Sequence, residues 1–575
     1  MKNVLICNRG EIALRAIKAC KDLGHRSFCI VNDNEKSSLV AKECDKAISF
    51  SDSINPFTSI DIIEKLIAQY QIDALYPGYG FLSEDPRLSQ LCKNMGITFI
   101  GPNPNVLNSL SSKRESINFA KSCQFNVLKI DDVKMSDFPI MLKAALGGGG
   151  RGNSIVTNSD DYNQCLDELK KRSQSLFLND DVIIEKYLPS ARHIELQFFS
   201  TDNKVHFLGT RDCSLQKSYQ KFMEEGPGND FFNTYLESKF KYIEKSLLKL
   251  GYIGAGTIEF LWDIDSQQAY FLEVNTRIQV EHTVTEELFE VDLVKAQIRY
   301  ALDAKLCFKN LKSDGHSISC RIYAVDSRQG FTPDPGPIHC LNLDKHMRWD
   351  TYIGKSGNVP HQYDPLIGKL VVHGTDRGEA IQKAIKCLRE LNIHGVRTNK
   401  EFLLSVLTDE VFQTDKHTVS WTESIFLEKW RSSCEDKELD ESELEHIWKT
   451  IDSSPEVENG KSSFNGQDYF YSICGNTLWI ERLSDGVIYI GPVAASFWTE
   501  SFAKNDTPYN SPITGKAVDV LVKVGDSVNK GDKLVVLEAM KTLVEIYAET
   551  SGMVKVLNIS KDGLIQRGEV ILGIE

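Results

Sequence analysis

The 575-residue sequence has no two cysteines at C-x-x-C spacing, although it contains 14 cysteines. This absence excludes a zinc ribbon and a thioredoxin-like redox site, and scattered single cysteines are typical of free thiols in a reducing compartment. No stretch approaches the roughly 20 apolar residues that a membrane-spanning helix needs. The amino-terminal residues also lack the apolar region and cleavage site of a signal peptide. We therefore expect a cytoplasmic protein.

Several catalytic signatures are absent as well. The 12 histidines show no metal-ligand spacing, and the sequence has neither a G-x-S-x-G elbow nor a cysteine-nucleophile signature. The turn at residues 8–11 lies where a dinucleotide-binding loop would be, but it is not G-x-G-x-x-G and predicts no dinucleotide site. With 80 acidic against 66 basic residues, the net charge of −14 disfavours general binding to nucleic acid or to an anionic membrane.

What is present indicates a multidomain α/β protein. Hydrophobic residues make up 41% of the chain and charged residues 25%, and the length suggests about four domains. Near the amino terminus, apolar strands at 4–7 and 27–31 alternate with amphipathic helices at 11–23 and 60–69. This alternation predicts a parallel sheet covered by helices.

A glycine run at residues 147–150 suggests a phosphate-binding lid. Consecutive glycines let the backbone fold closely over a phosphate chain and direct N–H groups at it. A glycine run alone is more typical of a flexible surface loop. Here, however, a strand carrying Lys143 precedes it, Arg151 follows it, and Glu185 lies in an apolar segment that could enclose a base. Together these features favour a nucleotide lid.

A second group of polar residues indicates a metal and oxyanion site. If residues 273–282 run extended, their odd-numbered side chains form one polar face, and the alternating Val274, Ile278 and Val280 face a core. With Glu259, this face supplies oxygen ligands for Mg²⁺, a guanidinium for a planar oxyanion and a carboxylate base. A salt-bridged edge strand is the structural alternative.

The last part of the sequence contains an internal repeat. Residues 515–517 match 552–554, and residues 530–534 match 567–571, at one constant offset. Two copies of a strand–turn–strand pattern predict a small β-sandwich with an approximate two-fold axis. Lys541 lies between the copies, where we expect an exposed turn.

The segment before this repeat is less clearly patterned. Residues 434–445 are strongly acidic, and an apolar-periodic stretch follows them. We predict a loop or linker at 453–467, three short strands within 469–497 and a polar connector at 502–511.

Residues 1 to about 430 closely resemble biotin carboxylase, an ATP-grasp enzyme. The residues that carry the resemblance are the glycine run and the motifs at 8–13, 77–84, 211–214 and 273–282. The repeat resembles biotinyl/lipoyl carrier domains, in which Glu538-Ala539-Met540-Lys541 is the biotinylation motif. A biotin carboxylase joined to its own carrier resembles the α subunit of an acyl-CoA carboxylase.

The resemblance implies a role for each matched residue. ATP-contacting positions are matched by Lys113, Lys143, Gly149, Gly150, Glu185, Lys186, Leu188, His193, Tyr219, Glu259 and Glu273. Magnesium (or manganese) ligands are matched by Glu259, Glu273 and Asn275. Bicarbonate-binding positions are matched by Lys221, Arg277, Gln279, Val280 and Glu281. Among the catalytic residues Arg277, Glu281, Lys221 and Arg321, Glu281 matches the base that deprotonates bicarbonate, and Arg321 matches the residue that stabilises the biotin enolate. Lys541 would carry biotin.

Two positions depart from the family pattern. Tyr219 stands where the family usually has a histidine that contacts ATP, and Ala145-Leu146 precede the glycine run where Ser-Gly is more common. Every matched metal, bicarbonate and base residue is present, so we expect an active enzyme.

The implied architecture is an α/β ATP-grasp biotin carboxylase followed by a small all-β biotinyl/lipoyl-type sandwich. We expect the boundaries to follow this order: a Rossmann-like amino-terminal domain at 1–108, the ATP-grasp lid and core at 109–310, a carboxylase carboxy-terminal domain at 311–430, a linker or reduced docking region at 431–502, and the carrier at 508–575.

The implied function is ATP- and bicarbonate-dependent carboxylation of biotin, which then passes the carboxyl group to an acyl-CoA. The expected partners are a carboxyltransferase β subunit, because no part of this sequence remains for one, and a biotin protein ligase. We also expect a homo- or hetero-oligomer. The alternatives are the carboxylating subunit of a pyruvate- or urea-type carboxylase and an inactive biotinylated carrier. In pyruvate-type two-subunit systems biotin normally lies on the other subunit. The sequence does not identify the acceptor.

Overall fold

The computed structural model describes residues 1–574 except 112, 131, 145–152, 178–179, 307, 309–310, 343–346, 435–438, 440, 453–458, 475–476, 493–506, 512–514, 540–541 and 566–568. In the described part of the chain, a parallel sheet comes first and a larger, mostly antiparallel sheet follows it. The carboxy-terminal residues form two four-stranded sheets that face each other.

The amino-terminal sheet has the strand order β3-β2-β1-β4-β5, with all neighbours parallel. Its strands are β1 Asn3–Ile6, β2 Arg26–Asn32, β3 Lys46–Phe50, β4 Ala74–Tyr76 and β5 Thr98–Phe99. Its helices are α1 Gly10–Asp22, α2 Leu39–Glu43, α3 Ile60–Tyr70, α4 Pro86–Asn94 and α5 Pro104–Ser111. The predicted alternation of strands and helices is therefore confirmed, with ends shifted by one or two residues.

The lid and the central unit follow. The elements up to the lid are α6 Lys113–Ser122, β6 Asn126–Val127, β7 Ile140–Ala144, β8 Asn153–Val156, α7 Tyr162–Phe177 and β9 Val182–Lys186. The lid sheet has the antiparallel order β8-β7-β9. The central unit contains β10 Ala191–Ser200, β11 Val205–Lys217, β12 Gln220–Gly226, α8 Asp230–Glu237, α9 Phe240–Leu250, β13 Gly254–Asp263, β14 Gln268–Asn275, α10 His282–Phe289 and α11 Leu293–Asp303.

One nine-stranded sheet joins the central unit to the next part of the chain. Its order is β20-β22-β15-β12-β11-β10-β13-β14-β6. The added elements are β15 His316–Tyr323, β16 Val325–Asp326, β17 Thr332–Pro333, β18 Gly336–Ile338, β19 Cys340–Asn342, β20 Arg348–Thr351, β21 Gly357–Val359, β22 Leu366–Gly374, α12 Arg377–Glu390, β23 Asn392–His394, α13 Lys400–Thr408, α14 Glu410–Gln413 and α15 Leu427–Cys434. The pairing of β12 with β15 joins the strands of the central unit to those that follow it.

Residues 441–492 form a module of one helix on a four-stranded antiparallel sheet. The elements are α16 Glu441–Asp452, β24 Asn459–Phe464, β25 Gln467–Cys474, β26 Thr477–Arg482 and β27 Ile488–Pro492. The predicted loop at 453–467 is therefore wrong at β24. The sequence of β24 shows no apolar alternation, because only Ser462 in it is buried. Backbone hydrogen bonds to β25 hold these residues in a strand.

Two four-stranded sheets of orders β28-β35-β33-β30 and β32-β31-β29-β34 enclose a separate apolar core. Their strands are β28 Thr507–Asn510, β29 Gly515–Val520, β30 Ser527–Val528, β31 Lys533–Ala539, β32 Thr542–Tyr547, β33 Gly552–Leu557, β34 Leu564–Ile565 and β35 Val570–Ile574. β29 and β33 carry the first repeat match, which confirms the predicted sandwich. The predicted connector at 502–511 is wrong at β28, because Thr507–Asn510 pairs with β35.

Candidate active site

The floor of the site is formed by adjacent strands of the nine-stranded sheet. Glu195 on β10 lies opposite Glu259 on β13, and Glu259 lies opposite Glu273 on β14. Cross-strand partners project from the same face about 5 Å apart. Strand pairing therefore places three carboxylates side by side.

Lys221 on β12 faces this carboxylate group. Its Nζ lies 2.6 Å from Glu281 and 3.4 Å from Glu259, and it also contacts Glu195. Burial alone would lower the pKa of Lys221, but these three carboxylates hold it well above its usual range. Lys221 is therefore a fixed positive charge at the centre of the site.

The predicted extended segment 273–282 is wrong beyond Asn275, where β14 ends. The next residue leaves the strand because its backbone N–H donates to Glu84 at 3.2 Å, outside any strand ladder. Residues 276–281 form a turn instead, which we call the 276–281 loop, and Glu281 directly precedes α10. The predicted convergence of the polar groups survives because side chains from other elements orient the loop.

Arg277 and Gln279 are two polar residues that the 276–281 loop itself brings to the site. Arg277 pairs with Glu84 at 3.1 Å and donates to the Asn275 side chain at 3.0 Å. Gln279 donates to Glu259 at 2.6 Å and accepts from Arg211 at 2.7 Å. The guanidinium and the amide thus lie on either side of the Glu259–Asn275 pair, where an oxyanion would meet donors from both.

Glu281 lies between two cations. Lys221 approaches one carboxylate oxygen, and Arg321 donates to the other at 3.0 Å. Burial would raise the pKa of Glu281, but Lys221, Arg321 and Arg211 lower it, so the carboxylate is ionised. Arg321 also contacts Glu224 on the neighbouring strand β12, and this contact helps to orient its guanidinium.

Glu273 has the electrostatic character of an incomplete cation site. Its side chain is exposed. Desolvation by the surrounding protein, together with repulsion from Glu259 and Glu84, raises the pKa of Glu273 to about 7. A divalent cation would relieve this repulsion, and two carboxylates with the amide oxygen of Asn275 are the hard ligands that Mg²⁺ prefers. The residues present therefore fit a magnesium ion.

The predicted nucleotide-contacting residues divide between lid and floor. Lys143 on β7 pairs with Glu185 on β9 at 2.5 Å. Lys186 ends β9, and the buried Leu188 leads to β10, where His193 lies 3.0 Å from Glu259. The segment from Glu185 to His193 therefore connects the lid to the carboxylate floor.

Tyr219 extends from the floor to the lid. It forms the turn between β11 and β12 with Ser218, and both residues have positive φ angles of 64° and 49°. Its hydroxyl lies 3.8 Å from the sulfur of Met141 on β7. Glu423 accepts hydrogen bonds from the backbone and side chain of Ser218, which stabilises the turn.

Some predicted site residues lie outside the described part of the chain. They are Gly149, Gly150, Leu146 and Lys541, together with the side chain of Lys113, whose backbone begins α6. β31 and β32 are paired up to Ala539 and Thr542, on either side of Lys541.

Sequence reasoning missed two central residues. Glu195 is fully buried against Lys221, and Arg211 is fully buried with hydrogen bonds to Glu195, Gln197 and Gln279. The alternation of His193, Glu195 and Gln197 along β10 was a readable signal for the first. Arg211 lies in a motif quoted for the resemblance, but only strand pairing reveals what it contacts.

Comparison with known proteins identifies the family. Residues 1–107 match "Biotin carboxylase, N-terminal domain", residues 114–309 match "Carbamoyl-phosphate synthase L chain, ATP binding domain", and residues 319–424 match "Biotin carboxylase C-terminal domain". The chain is 36% identical over 431 residues to Biotin carboxylase 2 of Bacillus subtilis, covering 71% of this chain and 96% of that protein. This chain belongs to the biotin carboxylase family.

The biotin carboxylase resembles relatives of several kinds. It is 35% identical to a pyruvate carboxylase subunit of Methanothermobacter thermautotrophicus, over 71% of this chain and 87% of that one. It is 34% identical to Urea amidolyase of Saccharomyces cerevisiae, over 72% of this chain but 23% of that protein. The biotin carboxylase domain of Hydrogenobacter thermophilus 2-oxoglutarate carboxylase, solved with MgADP, ADP and bicarbonate, superposes with a TM-score of 0.69 at 33% identity, over 73% and 97% of the two chains.

The chain joins this biotin carboxylase to a carrier. Residues 508–574 match "Biotin-requiring enzyme", so the predicted fusion and fold class are confirmed. The cofactors are biotin, ATP and magnesium. Among the described residues, no helix has the length and apolar character to span a bilayer.

Proposed function

We propose that this biotin carboxylase is the α subunit of an acyl-CoA carboxylase, which carboxylates biotin on its own carrier. The observation that carries the proposal is that matches to all three carboxylase domains and to a biotin carrier domain lie on one chain. A separate carboxyltransferase subunit would receive the carboxyl group, and a biotin protein ligase would attach biotin to Lys541.

Within the site, bicarbonate would bind between Arg277, Gln279 and the backbone of Val280. Gln279 and Lys221 both contact Glu259, and a guanidinium such as that of Arg277 pairs well with a planar oxyanion. Glu281 is ionised and could take the bicarbonate proton. Both of its oxygens are already engaged by cations, so an arriving anion that draws Lys221 towards itself would free one oxygen to act as the base.

The nucleotide would lie between lid and floor, held by Lys143, Glu185, Lys186, Leu188, His193 and Tyr219, with Lys113, Gly149 and Gly150 at the positions that the resemblance assigns. Glu259, Glu273 and Asn275 would hold magnesium, which supplies charge neutralisation for phosphoryl transfer. Arg321 would orient the ureido oxygen of biotin. Its guanidinium donates to Glu281, the proposed base, and would therefore hold biotin beside the bicarbonate site.

The location and assembly are further proposals. None of the twelve cysteines with described side chains forms a disulfide, which supports a reducing, cytoplasmic environment. The module at 441–492 is either a reduced docking element for the partner or a structural spacer. Its buried Glu481 pairs with Lys400 at 2.5 Å, which supports the structural role.

The acceptor is tested by capturing the native biotinylated protein on avidin and assaying the complex. Carboxylation would be measured with a short acyl-CoA panel, pyruvate and urea, each with and without ATP and bicarbonate. We expect carboxylation of an acyl-CoA that depends on a co-purifying carboxyltransferase. Activity on pyruvate or urea alone would overturn the acyl-CoA assignment in favour of those carboxylase types. A captured chain that fails to carboxylate free biotin would indicate an inactive carrier.

A further inference from the structure

A fully buried lysine reaches the 276–281 loop from outside the predicted site. Lys369 lies on β22, and its Nζ donates to the carbonyl oxygen of Val280 at 2.9 Å. The same Nζ pairs with Glu11 on α1 at 2.9 Å. Glu11 in turn accepts a hydrogen bond of 2.5 Å from the Tyr79 hydroxyl. Three separate parts of the chain therefore meet at this ammonium group.

The 276–281 loop needs such contacts because strand pairing ends at Asn275. Glu84 binds the backbone N–H of Thr276, and the ring of His282 lies 2.7 Å from the carbonyl oxygen of Gln279. Lys369 holds the next carbonyl, that of Val280. Because the peptide unit is planar, the contact of His282 with the Gln279 carbonyl fixes the direction of the Val280 N–H. The contact of Lys369 with the Val280 carbonyl fixes the direction of the Glu281 N–H.

We propose that Lys369 is a positioning residue for bicarbonate, which it orients through the Val280–Glu281 peptide, and so through the backbone of the proposed base Glu281, without touching the substrate. The inference rests on the proposed binding of bicarbonate by Arg277, Gln279, Val280 and Glu281. Removing the ammonium group frees the Val280–Glu281 peptide to rotate. The affinity for bicarbonate then falls, whereas the lid and the nucleotide contacts are unaffected.

Lys400 provides a matched control for a merely structural role. It is also buried, pairs with the carboxylate of Glu481, and donates to the backbone carbonyl oxygens of Leu391 at 2.6 Å and Arg389 at 3.5 Å. Both carbonyl partners lie at the end of α12 and not in the 276–281 loop. Replacing either lysine removes the same kinds of interaction, but only Lys369 contacts the proposed bicarbonate site.

The test compares K369M, E11Q, the double variant E11Q/K369M, K400M and R277A in the full-length enzyme. ADP release with free biotin is measured while bicarbonate and ATP are varied separately in bicarbonate-depleted buffer. We expect the KM for bicarbonate to rise about tenfold in K369M and in the double variant. The KM for ATP stays within about twofold of the parent value in both, and E11Q and K400M stay within about twofold in both constants, since each change spares the loop.

The double variant separates positioning from the cost of an unpaired charge. K369M leaves Glu11 buried without its cation, whereas E11Q/K369M is neutral and still lacks the hydrogen bond to Val280. An unchanged KM for bicarbonate in the folded double variant would overturn the proposal. So would an equal rise in both constants, or failure of both Lys369 variants to fold while K400M folds.

R277A distinguishes failure of this inference from failure of the proposed site. If R277A raises the KM for bicarbonate and the Lys369 variants do not, only the positioning role is overturned. If R277A also leaves bicarbonate dependence unchanged, the assignment of bicarbonate to this loop is overturned together with it.

Discussion

At the scale of single residues, burial sets the charge state of ionisable side chains, and His417 is an example outside the active site. Its ring lies 3.3 Å from Arg192 and 3.9 Å from both Asp212 and Glu225, and Asp415 is also nearby. Burial and Arg192 lower the pKa of His417 to about 4. The ring is therefore neutral at pH 7, although three carboxylates surround it.

This pKa predicts a pH-dependent loss of stability. An unfolded histidine has a pKa of about 6.5, so between pH 6.5 and 4 the unfolded chain binds more protons than the folded one. The free energy of unfolding therefore decreases as the pH falls, by about 1 kcal/mol at pH 5.5. We expect the Tm of the parent to fall more than that of H417Q between pH 7.5 and 5.5, measured by thermal unfolding. Equal changes in Tm would contradict the assignment.

Among the secondary-structure elements, the β11–β12 hairpin couples the floor to the lid. Two-residue turns with both φ angles positive normally use asparagine and glycine, because a side chain in the left-handed region costs about 1 kcal/mol. Ser218 and Tyr219 occupy this turn instead. The cost is offset by Glu423 on one side and by the contact of Tyr219 with Met141 on the other.

Changes at Tyr219 should therefore separate stability from nucleotide affinity. Tyr219→Gly removes the left-handed strain and the lid contact together, so we expect an equal or higher Tm and a KM for ATP raised about fivefold. Tyr219→Phe keeps the ring and should change the KM less. Both constants come from steady-state ADP release and thermal unfolding. An unchanged KM for ATP in Tyr219→Gly would show that Tyr219 does not contribute to nucleotide binding.

For the whole molecule, the decisive feature is that a biotin carboxylase and a biotin carrier lie on one chain. The module at 441–492 is anchored by the buried Lys400–Glu481 pair. Fourteen residues separate Pro492 from Thr507, and a chain of that length reaches at most about 50 Å. This length limits how far a carrier could travel from the anchored module.

Removing the attachment point should separate the two functions of the chain. Lys541→Ala is expected to abolish biotin attachment, detected by avidin blotting, and with it carboxylation of the carrier. Turnover of free biotin should remain within about twofold of the parent rate, because no described active-site contact involves the carrier. Lys530→Ala, at an exposed lysine of the same domain, is the control. Loss of free-biotin turnover in Lys541→Ala would contradict separable domains.

Some features followed from local sequence alone. Alternating apolar and polar residues predicted the amino-terminal strands and helices, and the repeat predicted the sandwich, because both patterns reflect burial on one face of an element. Glu259, Glu273 and Asn275 were identified as a candidate metal site for the same reason. The resemblance then assigned roles to residues such as His193 and Arg321, whose individual sequence contexts are ordinary.

Tertiary structure decided what local patterns could not. β24 is a strand because it pairs with β25, and the chain turns after Asn275 because Glu84, distant in sequence, binds the loop. Glu195, Arg211 and Lys369 act through contacts with residues far along the chain, and no local periodicity encodes such contacts. The sequence by itself determined the family, the domain content and the chemistry of the side chains. The orientation of the side chains in the 276–281 loop was decided only by the packing of three parts of the chain around it. A loop without strand partners takes its conformation from the side chains that contact it.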